Sequence, residues 1–98
     1  MELPVRFEWD EEKAEDNMRQ HGVQFSEAEE VFDDPDGVES FDTVHSDAEA
    51  RYQIIGWSSR RVLFVVFTEL DDRGDNFRLI SARRATRKER KFYETQTS

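Results

Sequence analysis

Residues 62–68 read Val-Leu-Phe-Val-Val-Phe-Thr, six apolar side chains in a row and then a threonine. No other stretch constrains the fold as tightly. A strand shows alternate residues to opposite faces, so an unbroken apolar run of this length needs cover on both. It is far short of the ~18 apolar residues of a membrane span. Turn signals flank it, Ser58-Ser59-Arg60 before and Asp71-Asp72-Arg73-Gly74-Asp75 after. Both turns are short enough for hairpins. Beyond them, residues 51–57 (Tyr52, Ile54, Ile55, Trp57) and 77–82 (Phe77, Leu79, Ile80) also read as strands. The run is therefore predicted to be the middle strand of a three-strand antiparallel meander.

The first half supplies the cover. Val5, Phe7 and Trp9 alternate with Arg6 and Glu8, the period of a half-buried strand. Asp10 is placed to cap a helix over residues 11–21, with Glu11 and Glu12 in its first turn and Gly22 just past its end. Ser26 with Glu29 has the form of a capping box and opens a second, short helix carrying Ala28, Val31 and Phe32. Asp34-Pro35 stops it, residues 38–41 make a short edge strand, and 42–50 are a polar loop. Thr86 with Glu89 is another capping box, predicting a last helix to about residue 93 and a frayed tail over 94–98. The expected architecture is a single α+β domain over residues 1–98, core about 5–93. A small antiparallel sheet carries N-terminal helices on it and a short C-terminal helix.

Composition excludes several functions. With no cysteine there is no disulfide framework, thiolate metal site or cysteine nucleophile. The start of the chain shows no apolar stretch with basic flanks, so no signal peptide and a cytoplasmic location are expected. There are two histidines, His21 and His45; His21 lacks a His or carboxylate partner four residues on, and no metal or cofactor is expected. No phosphate-binding glycine loop or nucleophile elbow occurs.

The net charge of −9 hides an asymmetry: residues 1–50 carry −14 and residues 51–98 carry +5. An acidic whole disfavours general attraction to nucleic acid, while the basic half leaves room for a local positive face. The plainer alternative is that the halves pair their charges across the fold. Arg83 and Arg84 close the last strand just before the helix that begins near Thr86, and Arg51 opens the first meander strand. Adjacent strand residues point to opposite faces, so only one of Arg83 and Arg84 can look into a given cleft. A guanidinium fork suits a phosphodiester and the added charge of its transition state. Arg87, Lys88, Arg90 and Lys91 read first as a solvated helix face offsetting the acidic half.

Three spaced motifs then resemble the BrnT toxin family. The first is Phe7-Glu8-Trp9-Asp10 with Lys13-Ala14, Asn17 and His21-Gly22-Val23-Gln24-Phe25; the second is His45-Ser46, Glu49, Arg51 and Ile55-Gly56. The third is Thr68-Glu69 with Ile80-Ser81-Ala82-Arg83-Arg84-Ala85-Thr86-Arg87-Lys88-Glu89-Arg90. The likeness spans about residues 7–94. One departure stands out: the family's lysine before His-Gly is Gln20 here.

The resemblance implies a RelE-like α+β fold and the toxin of a type II toxin–antitoxin system. Such a toxin blocks translation by cleaving RNA without a metal. It also implies a BrnA-like ribbon-helix-helix antitoxin as partner, operator DNA reached only through the complex, and no membrane. On that reading Arg83 or Arg84, with Arg51, stabilises charge at the phosphate. His21 or His45 supplies acid–base chemistry, with Glu69 as an alternative base. Lys13, Arg87 and Lys88 are candidate RNA contacts. The competing expectation is a catalytically weakened or inactive homologue that acts as a protein- or nucleic-acid-binding module.

Overall fold

The computed structural model describes residues 5–46 and 49–97. Its elements run β1 (Arg6–Glu8), α1 (Glu11–His21), α2 (Phe25–Glu30), a 3₁₀ turn (Val31–Asp33), β2 (Val38–Phe41), β3 (Tyr52–Trp57), β4 (Val62–Glu69), β5 (Asn76–Arg84) and α3 (Arg87–Thr97). The five strands form one sheet in the order β1-β5-β4-β3-β2, so the apolar run is the central strand. The meander is antiparallel as expected, and so is β2 against β3. Only β1 departs, running parallel to β5. The long connection from β1 through the rest of the chain returns β5 to it in the same direction, which hairpin reasoning does not address.

The two faces of β4 are covered by different layers. Leu63, Val65 and Phe67 join Val23, Phe25, Ala28, Val31, Ile54, Phe77, Leu79 and Ala82 in the main core beneath α1 and α2. On the other face Val62 meets Ile55 and Tyr93 of α3, with Phe64 and Val38 beside them. Burying each such large side chain contributes roughly 1.5–3 kcal/mol. Phe32 stands edge-on to Phe7 and Phe67, 4.9 Å from each ring centre.

α1 is an unusual layer element, because its one buried residue is polar. Asn17 donates to the carbonyls of Val23 (2.9 Å) and Ala82 (2.8 Å) and accepts from the Ala82 N–H (3.0 Å). β1 pairs with β5 only as far as Arg78, so beyond it the edge of β5 lacks a strand, and the Asn17 amide takes that strand's place. The caps of α1 fall where the sequence predicts. Asp10 accepts from the N–H groups of Glu12 and Lys13, and Gly22 takes the left-handed conformation at φ 68°.

Two helix boundaries differ from expectation. α2 begins at Phe25 with Gln24 at its cap, and no Ser26–Glu29 capping box forms. Val23 and Phe25 are both driven into the core. The chain therefore turns helical two residues early, and the Gln24 carbonyl accepts from Glu27 and Ala28. α3 continues to Thr97 instead of fraying after residue 93. Buried Tyr93 anchors it, donating its hydroxyl to Asp34 at 2.7 Å. Ser98, the end of the expected tail, lies outside the described residues, as do the first four residues, where no signal peptide was expected.

Opposite charges from the two halves do meet. Glu27 of α2 takes a fork of hydrogen bonds from Arg61 (2.8 and 3.0 Å) and one from Ser58 (2.8 Å), tying α2 to the β3–β4 turn. The Arg61 bond is the main reason the Glu27 carboxyl lies below its ordinary value. No described helix is long and apolar enough to cross a membrane.

Candidate functional site

α3 covers only a corner of its face of the sheet, and the strand register shows what the rest presents. Across the strands run a first row, Val38–Ile55–Phe64–Arg83, and a second, Ser40–Gln53–Val66–Ser81. A third carries Thr68–Arg78–Glu8. Alternation from Gln53 puts Arg51 on this face too, beside the third row. Tyr93 and Ala85 sit on the first row. The second and third rows form an open face, except at Thr68, which is buried and donates its hydroxyl to the Ala50 carbonyl.

A bulge decides which closing arginine faces this surface. Val66 pairs with Ser81 but Phe67 pairs with Leu79, so β5 carries one extra residue, Ile80. Phe77 and Leu79 point into the main core, and after the bulge Ala82 does so as well. Arg83 is thereby turned to the open face, its guanidinium 4.2 Å from the centre of the Phe64 ring. Arg84 pairs with Leu63 on the opposite face and is exposed. Arg83 is held in place: it donates to both Glu89 oxygens, at 2.8 and 2.9 Å, and to the Arg84 carbonyl at 3.2 Å. Glu89 also accepts from the Thr86 N–H and raises the Arg83 guanidinium further.

The other cations lie at the far end of the face. Four residues of β4 separate the Arg83 row from the Arg78 row, roughly 13 Å at strand rise. Arg83 and Arg51 therefore do not converge on one phosphate; a strand of nucleic acid lying across the face would meet them in turn. Arg78, which the sequence reading missed, donates to Glu8 at 2.9 and 3.1 Å and lies 3.9 Å from Glu49. An isolated arginine within a strand gives no sequence signal of its own. Arg51 differs from both. It has no carboxylate partner among the described residues, and its Nε is buried without an acceptor.

His45 is brought to the same end. The Asp42 N–H bonds the Arg51 carbonyl at 2.8 Å, and the Arg51 N–H bonds the Ser46 hydroxyl at 2.9 Å. His45 therefore sits on a loop stapled to the start of β3. Its Nδ1 lies 3.0 Å from Asp42 Oδ2. The same carboxylate accepts the N–H groups of Val44 and His45 at 3.1 Å. Burial pushes the Asp42 carboxyl upward, but these hydrogen bonds prevail and hold it below its ordinary value. A carboxylate on Nδ1 fixes that nitrogen as the proton-bearing one and leaves Nε2 to solvent. The i, i+3 spacing of Asp42 and His45 is the sequence signal for this pair.

The remaining candidates lie elsewhere. His21 and Lys13 are exposed on α1, behind the sheet. Glu69 is exposed and pairs with core-facing Phe77, so alternation turns it away from the open face. Arg87 and Lys88 are exposed in the first turn of α3. Among the described residues no group of three or more His, Asp or Glu could hold a metal ion.

A profile of the family described as "Ribonuclease toxin, BrnT, of type II toxin-antitoxin system" matches residues 9–89. The crystal structure of the ribonuclease toxin BrnT of Brucella abortus superposes with a TM-score of 0.61 at 22% identity, over 85% of this chain and 99% of that one. At that identity the likeness speaks for the fold. No curated protein sequence matches the chain.

Proposed function

The chain belongs to the BrnT family of ribonuclease toxins of type II toxin–antitoxin systems, and on that premise we propose that it cleaves single-stranded RNA on the open face of its sheet. The observation that carries this reading is Arg51. A buried donor without an acceptor is rare and costly, and here it belongs to a cation with no carboxylate partner among the described residues. The side chain as a whole is only half-buried, and a phosphate would meet its accessible guanidinium end rather than the buried Nε. Arg78 and Arg83, already oriented by Glu8 and Glu89, engage neighbouring phosphates along the same strand.

The chemistry needs no metal. The RNA 2′-hydroxyl attacks the adjacent phosphorus, its proton passes to a base, and the 5′-oxygen leaves with a proton from an acid. The products are a 2′,3′-cyclic phosphate and a 5′-hydroxyl. Arg51 stabilises the charge that builds on the non-bridging oxygens. His45, positioned by Asp42, handles a proton at Nε2. His21, Lys13, Arg84 and Glu69 have no part in this scheme, while Arg87 and Lys88 extend the positive rim from α3. The partner is a BrnA-like ribbon-helix-helix antitoxin, and operator DNA is reached only through the complex. The setting is the cytoplasm, where the toxin would block translation.

The test is cleavage of a labelled single-stranded RNA in excess EDTA, with the product ends identified. Cyclic phosphate ends for the parent and at least a tenfold loss for Arg51→Ala support the scheme. Dependence on a divalent ion, or an unimpaired Arg51→Ala, overturns it. RNA binding without cleavage would leave the binding-module reading in its place.

A further inference from the structure

The helix side of the molecule carries a groove that cleavage does not use. Glu11, Ala14, Glu15 and Met18 follow one another at i, i+3, i+4 and i+7, so they share one face of α1. That face is not the one pinned to the sheet by Asn17. It forms one wall of a depression of about 280 Å³, whose other wall is Gln24 and Ser26 and whose floor is Trp9 and Phe25. Past Met18 the depression runs on into a second of about 280 Å³, where Glu27, Glu30 and Arg60 line the sides. Met18, Gln24 and Ser26 border both, so the two make one trough between α1 and α2.

The floor is apolar and the rim is acidic. Met18 is 45% exposed, a large apolar side chain with nothing over it. Glu11 and Glu15 stand on the α1 rim with no cationic partner among the described residues. The trough lies behind the sheet, away from the open face that bears Arg51. Its chemistry complements a helix with apolar residues at i, i+3 or i+4 and lysine or arginine beside them. The α1 wall, from Glu11 to Met18, rises ~10 Å, the length of about two turns of such a helix.

We propose that this trough is a docking site for a basic amphipathic helix of the antitoxin, separate from the RNA-cleaving face. The inference rests on the toxin–antitoxin family reading for the existence of that partner. Apolar side chains of the helix would cover Met18, Ala14 and Trp9, and its cations would pair with Glu11 and Glu15. A segment docked here leaves Arg51 and His45 open, so it anchors the partner without itself blocking cleavage.

The probe is a synthetic 14-residue helical peptide with leucine at i, i+3 and i+4 positions and lysine elsewhere, titrated by fluorescence anisotropy onto the whole chain. Met18→Asp and Glu15→Lys should each weaken binding at least tenfold. Asp72→Lys, the same charge reversal on the exposed β4–β5 turn, should change it less than twofold. RNA cleavage should be unaltered by Met18→Asp and by saturating peptide. Equal affinity for Met18→Asp and the parent overturns the proposal, as does an equal loss for Asp72→Lys. A dimer that Met18→Asp dissociates would mean that a second copy fills the trough, and overturns it too. RNA cleavage by the parent is read separately, so failure here and failure of the ribonuclease reading are distinguishable.

Discussion

Replacing Asn17 by alanine removes the strand mimic that closes the edge of β5. Three hydrogen bonds are lost, at 2.8, 2.9 and 3.0 Å. The Ala82 N–H, the Ala82 carbonyl and the Val23 carbonyl lose that partner in a region where Val23 and Ala82 are fully buried. An unsatisfied buried group costs about 1–3 kcal/mol. Water entering the vacated space offsets part of this, leaving a loss of ~3 kcal/mol. Alanine's better helix propensity returns about 0.5 kcal/mol. A net ~2.5 kcal/mol corresponds to a melting point about 10–20 °C lower for a domain of this size. Urea unfolding followed by circular dichroism should show the midpoint falling with an unchanged slope. Asn17→Asp should do no better, because it keeps the acceptor for the Ala82 N–H but turns a carboxylate toward two carbonyls. A loss below ~1 kcal/mol for Asn17→Ala, no larger than typical surface changes, would refute the reasoning.

Arg83→Ala should weaken both RNA binding and stability, since it strips Glu89 of its fork, whereas Arg84→Ala should leave both near parental; filter binding and thermal melts separate the two. Asp42→Asn should reduce cleavage about tenfold or more and change the shape of its pH profile, because an amide can present a donor to Nδ1 and reverse the ring's proton arrangement; an unchanged profile would remove Asp42 from the scheme. Glu27 is held below its ordinary value chiefly by Arg61. Its contribution to stability is therefore present above the usual carboxylate range and fades as pH falls through the folded-state value. Melting curves across acidic pH should show the gap between the parent and Glu27→Gln narrowing on acidification, and a constant gap would contradict this.

What could be read from the sequence followed from local rules. The central strand came from six apolar residues between two turns, and α1 from Asp10 and Gly22 at its ends. What could not be read depended on distant partners. The parallel pairing of β1 spans most of the chain. The early start of α2 reflects competition between a Ser26 cap and the burial of Phe25, which burial wins. The site was legible by residue type but not by arrangement. Periodicity says that Arg83 and Arg84 part company, yet the Ile80 bulge, which has no signature in the sequence, decides which one faces out with Phe64. Arg51 and His45 stood six residues apart in plain view. Their grouping with Arg78 needed the sheet register, and the separation of His21 and Glu69 from them needed the layers.

The central claim is that RNA lies across the open sheet face. The direct measurement is an amide chemical-shift titration of the ¹⁵N-labelled chain with a short single-stranded RNA whose 2′-hydroxyls are replaced, so that it binds without being cut. The account predicts the largest shifts at Arg51, Gln53, Val66, Thr68, Arg78 and Ser81, with α1 little changed. Shifts concentrated on α1, around Lys13 and His21, with the β3–β5 face silent, would contradict it.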